Sequence, residues 1–142
     1  MVRPKFDEPP PRSFPGSKPC GNGEQVLVVD DEDYFVSVIG GFLESMNYTP
    51  TVFNDGLEAL KELRKNPSKY QLVITDLSMP GMTGIELVSQ INRFGLEVPT
   101  ILCTGFSEEV SERNTESFGI RKFLLKPVSR SDLKEALAEI FG

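Results

Sequence analysis

Five side chains stand at the carboxyl ends of short apolar runs, and their types suit one kind of chemistry. Asp30 and Asp31 follow Val26–Val29, Asp76 follows Gln71–Thr75, Thr104 follows Thr100–Cys103 and Lys126 follows Lys122–Leu125. Taken singly, each has a plain structural explanation. Asp30–Asp31 can end a strand and cap a helix, and Asp76 ahead of Met79–Pro80–Gly81 can open a turn. Thr104–Gly105 and Lys126–Pro127 can be ordinary loop residues. Taken together they form a different set. Three carboxylates brought close repel one another, which raises their pKa values unless a cation sits among them. Oxygen donors without nitrogen or sulfur select a hard ion, with magnesium the leading candidate. Such an ion keeps open positions for phosphoryl oxygens, and the lysine offsets remaining negative charge.

Convergence of these residues requires a particular fold. From Glu24 onward, short apolar strands alternate with amphipathic stretches. The spacing predicts strands at Gln25–Asp30, Thr49–Phe53, Gln71–Thr75, Thr100–Cys103 and Lys122–Leu125. Helices are expected over about 33–46, with Phe35, Ile39, Phe42, Leu43 and Met46 on one face, and over about 57–65, with Leu57, Leu60 and Leu63 inward. Further helices are expected over 84–93, 108–118 and 131–141, the one over 108–118 mostly polar. The Gly40–Gly41 pair weakens the first helix by about 1 kcal/mol per glycine relative to alanine. Asn54–Asp55–Gly56 reads as a turn that can also cap the second helix. Five strands alternating with helices imply an α/β, doubly wound parallel sheet with helices on both faces. In that class, ligand sites lie at the carboxyl ends of the strands, where the five candidate residues stand.

Composition narrows the function classes. The 142 residues allow one domain with a substantial core. Residues 1–23, with prolines at 4, 9, 10, 11, 15 and 19, read as a disordered Pro/Gly-rich linker or tail, leaving 24–142 as the folded domain. The tail holds four basic and two acidic side chains, so the overall charge of −6 leaves −8 on the domain. That balance disfavours nucleic acid as a partner, because affinity there rests on neutralising phosphates. No apolar run spans a bilayer and the start lacks a secretory pattern, so a cytoplasmic protein without membrane contact is expected. Cys20 and Cys103 have no metal-binding spacing. The chain has no histidine, which excludes Ser-His-Asp and Cys-His catalysis and any phosphohistidine of its own.

At this point four blocks carry a resemblance. VLVVDDED (Val26–Asp33), LVITDLSMPGMTG (Leu72–Gly84), TILCTG (Thr100–Gly105) and FLLKP (Phe123–Pro127), in that order, resemble the receiver domain of two-component response regulators. The resemblance covers about residues 25–142 and implies a flavodoxin-like sheet of strand order 2-1-3-4-5. It further implies that Asp76 is the nucleophile that takes a phosphoryl group from a phosphohistidine. Asp31 would bind Mg2+ directly, Asp30 mainly through water, and the Ser78 carbonyl would complete the protein's ligands. Lys126, held by a cis peptide before Pro127, would contact the phosphoryl oxygens. Thr104 would swing inward to the phosphate and Phe123 would rotate behind it, altering the face made by the fourth helix, fifth strand and fifth helix. Ser78 and Phe106 occupy positions where the resemblance places tuning of phosphate lifetime. Phe123 lacks the hydroxyl of the commoner tyrosine.

The implied partners are a histidine kinase or histidine phosphotransfer protein as phosphodonor, with a homodimer left open. Self-phosphorylation and self-dephosphorylation are expected, with no separate substrate turnover. No DNA-binding output is expected from this chain, and both a stand-alone receiver and a receiver excised from a larger protein stay open. The Pro/Gly-rich lead-in, the GNGEQVLVVDDE start and the CTGF segment are similar to carboxy-terminal receivers of hybrid sensor histidine kinases. A magnesium-dependent phosphohydrolase would need an acid–base residue, commonly an Asp two positions after Asp76, where Ser78 stands. Flavin binding would need a phosphate-cradling loop after the first strand, where Asp30 and Asp31 would repel the phosphate.

Overall fold

A computed structural model describes residues 21–105 and 120–142. The expected helix over 108–118, Phe106, Cys20 and nearly all of the 1–23 segment lie outside the described residues. In chain order the elements are β1 (Gln25–Val29), α1 (Asp33–Ser45), β2 (Thr49–Phe53), α2 (Gly56–Lys65), β3 (Leu72–Asp76), α3 (Gly84–Arg93), β4 (Thr100–Thr104), β5 (Ile120–Leu125) and α4 (Arg130–Phe141). All neighbouring strands pair in parallel, in the order β2-β1-β3-β4-β5. This is the expected flavodoxin-like topology.

The two faces of the sheet follow from the two-residue alternation of strand side chains. Val26 and Val28 of β1 join Leu72 and Ile74 of β3 in a cluster with Val36, Ile39 and Leu43 of α1 and Leu133, Ala136 and Leu137 of α4. Leu27, Val29 and Val73 point the other way, against Ala59, Leu60 and Leu63 of α2 and Leu87 and Ile91 of α3. Both faces of β1 and β3 are therefore dry, which is why these strands read as unbroken apolar runs. Each fully buried leucine or isoleucine contributes on the order of 1.5–3 kcal/mol.

Local signals account for the helix starts. The Asp55 carboxylate accepts the Leu57 amide at 2.8 Å, as a cap in the Asn-Asp-Gly turn should. Thr83 with Glu86, and Ser129 with Asp132, form reciprocal capping boxes at α3 and α4. The inward set of α2 differs from expectation at one residue: Leu57 is 52% exposed, and Ala59 is buried with Leu60 and Leu63. Asp55 caps one residue before Gly56, so the buried stripe runs through 56, 59, 60 and 63 and leaves Leu57 on its flank. Three carboxyl-terminal strand ends also shift: β1 stops at Val29, which leaves Asp30 just beyond the strand instead of ending it. Asp76 and Thr104 are the last residues of β3 and β4 rather than the first after them. Both extra residues join the ladder, Asp76 opposite Cys103 and Thr104 opposite Leu125.

Candidate functional site

The chain leaves β1 for β2 on one side and returns to β3 on the other, so the strand order reverses at β1. In open α/β sheets, the crevice beyond the carboxyl ends at such a reversal is where ligands bind. Asp30 and Asp31 reach it from β1 and Asp76 from β3. One carboxylate oxygen from each of the three lies within 4.8 Å of the others. Asp30 is fully buried and Asp76 is 4% exposed, while Asp31 faces solvent.

Lys126 enters from the loop after β5. Its Nζ donates to Asp30 Oδ2 at 2.8 Å and pairs with Asp76 Oδ1 at 2.9 Å, with Glu32 Oε1 at 3.2 Å. The loop is anchored by the Lys126 amide donating to the Thr104 carbonyl at 2.8 Å, and the Lys126–Pro127 peptide is cis. Burial pushes the Asp30 carboxyl up to about 6, against the downward pull of Lys126 and of the Glu32 amide, which donates to it at 2.9 Å; the Asp76 charge adds to the rise. Burial would depress Lys126, but its hydrogen bonds to Asp30 and Asp76 outweigh that and hold it above the usual lysine value. The ammonium is therefore charged throughout the neutral range.

Thr104 is 1% exposed on the adjacent strand, with its hydroxyl donating to the Gly105 carbonyl at 3.3 Å. Phe123 lies on β5, partly buried against Val88, Leu102 and Ile120. Ser78 is exposed in the loop between β3 and α3. Cys103 lies directly opposite Asp76 in the ladder, yet burial pushes its thiol up to about 12, so it is no nucleophile at neutral pH. The all-oxygen donor set of Asp30, Asp31 and Asp76 fits a hard divalent cation such as Mg2+.

Three site features were not singled out by sequence reasoning. Glu32, within the VLVVDDED block, touches Lys126. Phe35, expected on the apolar face of α1, has its ring centroid 4.3 Å from the Lys126 Nζ. Asn54 donates to the Asp30 carbonyl at 3.1 Å and to the Asp33 carboxylate at 3.0 Å, tying the β2–α2 turn to the acidic loop. Only Asn54 had a signal, as a turn residue beside a cap.

The glycine closing the Met79–Gly84 stretch has a steric role. A Cβ at Gly84 would run into the Asp76 carbonyl and come within 2.7 Å of Leu102 Cδ1. Its bare backbone lets α3 begin against the end of β3, where the Gly84 amide donates to the Leu77 carbonyl at 2.8 Å.

Known proteins resemble this chain in sequence and fold. The response regulator receiver domain family matches residues 26–138. The two-component response regulator ORR5 of rice (Oryza sativa subsp. japonica) is 35% identical over 124 residues, covering 84% of this chain and 90% of that protein. The 3',5'-cyclic-nucleotide phosphodiesterase regA of Dictyostelium discoideum is 32% identical over 116 residues, which span 80% of this chain but 15% of that longer protein. Among solved structures, the CheX–CheY–BeF3–Mg2+ complex from Borrelia burgdorferi contains a chain that superposes with a TM-score of 0.77 at 25% identity, covering 84% of this chain and 90% of that one. With the motifs, topology and family match in agreement, the chain belongs to the response regulator receiver domains of two-component signalling.

Proposed function

We propose that this chain is a phosphoacceptor switch in which Asp76 receives the phosphoryl group. The observation that carries the reading is the Lys126 ammonium, 2.8 Å from Asp30 and 2.9 Å from Asp76, over a crevice that also holds Asp31. In the transfer, an Asp76 carboxylate oxygen forms a bond to phosphorus as the phosphorus–nitrogen bond of a partner's phosphohistidine breaks. The electron pair leaves with the imidazole, and the product is an acyl phosphate. A histidine kinase or histidine phosphotransfer protein supplies that group. Such a reaction needs in-line positioning and charge neutralisation more than acid–base chemistry, which suits a site without histidine.

Asp30, Asp31, Asp76 and the Ser78 carbonyl would hold Mg2+, an assignment supported by the acidic cluster and by the ion named in the Borrelia complex. Bound there, the ion would neutralise charge on the phosphoryl oxygens. Lys126 meets that charge from the opposite loop. Phosphorylation adds up to about two negative charges and three acceptor oxygens. Thr104, already at the end of β4, turns its hydroxyl toward them, and Phe123 follows on β5. The output is a change at the face around β5 and α4. The cytoplasm is the proposed location, where a hybrid histidine kinase would present such a domain to its own phosphohistidine.

Incubation with magnesium and acetyl phosphate, followed by intact mass measurement, tests the assignment. One phosphoryl adduct on the wild-type chain, absent from Asp76→Ala, is expected. An unmodified wild-type chain, or an adduct that survives Asp76→Ala, overturns it.

A further inference from the structure

The Lys126 side chain has to present one ammonium to two buried carboxylates, although its four-carbon stem is flexible. Its ion pairs with Asp30, Asp76 and Glu32 supply charge. All three depend on the state of the site. A phosphoryl group on Asp76 removes that carboxylate charge, a divalent cation competes for Asp30, and Glu32 is 66% exposed on its side chain and so screened by water. One contact of Lys126 does not depend on that state. The ammonium lies over the face of Phe35, 4.3 Å from the ring centroid, within the range where the ring quadrupole attracts a cation. Phe35 stands in the first turn of α1, and its ring is packed against the buried cluster of α1, β1, β3 and α4. The ring can be neither protonated nor metal-bound, and its position is set by the core.

We propose that Phe35 is a positioning residue that holds the Lys126 ammonium over the Asp30–Asp76 crevice through a cation–π contact, before and after phosphorylation. The proposal rests on the reading of Lys126 as the residue that meets the phosphoryl group. It assigns to the first turn of α1 a part in the reaction separate from core packing.

Two measurements on Phe35→Leu and Phe35→Tyr test it. Leucine keeps an apolar side chain of similar bulk and removes the quadrupole, whereas tyrosine retains the ring. Without any phosphodonor, the Lys126 ammonium is followed by 15N NMR. Its Nζ resonance should be resolved near neutral pH in the wild type and in Phe35→Tyr, and lost to solvent exchange in Phe35→Leu. A resonance as persistent in Phe35→Leu as in the wild type overturns the proposal. With acetyl phosphate and magnesium, Phe35→Leu should form the acyl phosphate about threefold to thirtyfold more slowly, and Phe35→Tyr should stay within about twofold of the wild type. In a Lys126→Ala background, Phe35→Leu should produce no further loss. Equal slowing by leucine and tyrosine, or the same loss in the Lys126→Ala background, makes Phe35 a packing residue only. A wild-type chain that takes no phosphoryl group sinks the proposed function instead, while the NMR comparison still decides the positioning.

Discussion

The Lys126 ammonium lies 2.9 Å from the Asp76 carboxylate and 2.8 Å from that of Asp30, so one cation bridges an acid at the end of β3 and another just past β1. The lysine is 18% exposed and Asp30 fully buried, which places the bridge where solvent screening is weak. It makes the loop after β5 part of the crevice between β1 and β3. Stability and function are consequently coupled at this point, because the charge that offsets two buried acids is also the charge that would meet a phosphoryl group.

Removing that cation should destabilise the fold. Lys126→Ala removes the cation that bridges Asp30 and Asp76, and breaking such a buried pair costs about 3 kcal/mol. The expected result is a lower urea midpoint in the presence of a chelator, with part of the deficit recovered in millimolar magnesium. A midpoint equal to that of the wild type would show that the bridge contributes nothing net.

Magnesium should stabilise the wild-type chain by mass action. At one hundred times its dissociation constant, a ligand that binds only the folded state adds about 2.7 kcal/mol. The melting temperature in magnesium should therefore exceed that in chelator. Asp31→Ala, which removes the exposed member of the acidic cluster, should abolish most of the rise. A full rise in that variant would move the ion elsewhere.

Gly84→Ala should be harmful although alanine favours helices. The new methyl group would meet the Asp76 carbonyl and the Leu102 side chain, forcing α3 away from the end of β3. Overpacking of this kind costs about 1–3 kcal/mol. Urea denaturation should show that loss, and acetyl phosphate should label the variant more slowly, since the carbonyl that must shift belongs to Asp76 itself. Wild-type stability would mean that the helix start moves freely.

A pH-dependent contribution is expected away from the crevice. The Tyr70 hydroxyl donates to Glu62 Oε2 at 2.7 Å and holds that carboxyl below its usual range despite some desolvation, with Lys69 adding to the effect. Burial and then Glu62 push the Tyr70 phenol from 10.0 up to about 12. Glu62 is depressed, so its contribution is present above the ordinary value of 4.5 and fades as pH falls through the lower folded value. Tyr70 is raised, so its contribution is full below pH 10.0 and fades as pH climbs toward about 12. Tyr70→Phe should lose about 1 kcal/mol at pH 7. Urea titrations should show the gap from wild type closing at both extremes, whereas a gap constant across pH would rule out the hydrogen bond as its source.

Much of this architecture is local information, which is why it was legible in the sequence. Strand β2 and helix α3 begin and end where their residues imply, because Asn54–Asp55–Gly56 and the Thr83–Glu86 capping pair act within a few positions of themselves. The apolar runs of β1 and β3 announce strands covered on both faces, and with alternating helices they imply a doubly wound sheet. The acidic pair, Asp76, Thr104 and Lys126 could be assigned to one edge because strand ends are legible to within a residue, close enough to group them. Leu57 was misjudged because a one-residue shift in helix phase is decided by the cap and by what packs against α2.

What the sequence alone determined was which groups meet at the sheet edge. How they meet was decided by tertiary structure. Phe35 and Lys126 are far apart in the chain, as are Asn54 and the acidic loop, and no periodicity relates them. Ion pairs, ring contacts and steric limits depend on distances of a few ångströms between elements, and those are set by how α1, the sheet and the loop after β5 pack together. The chemistry was written in residue types, while its geometry arose from packing.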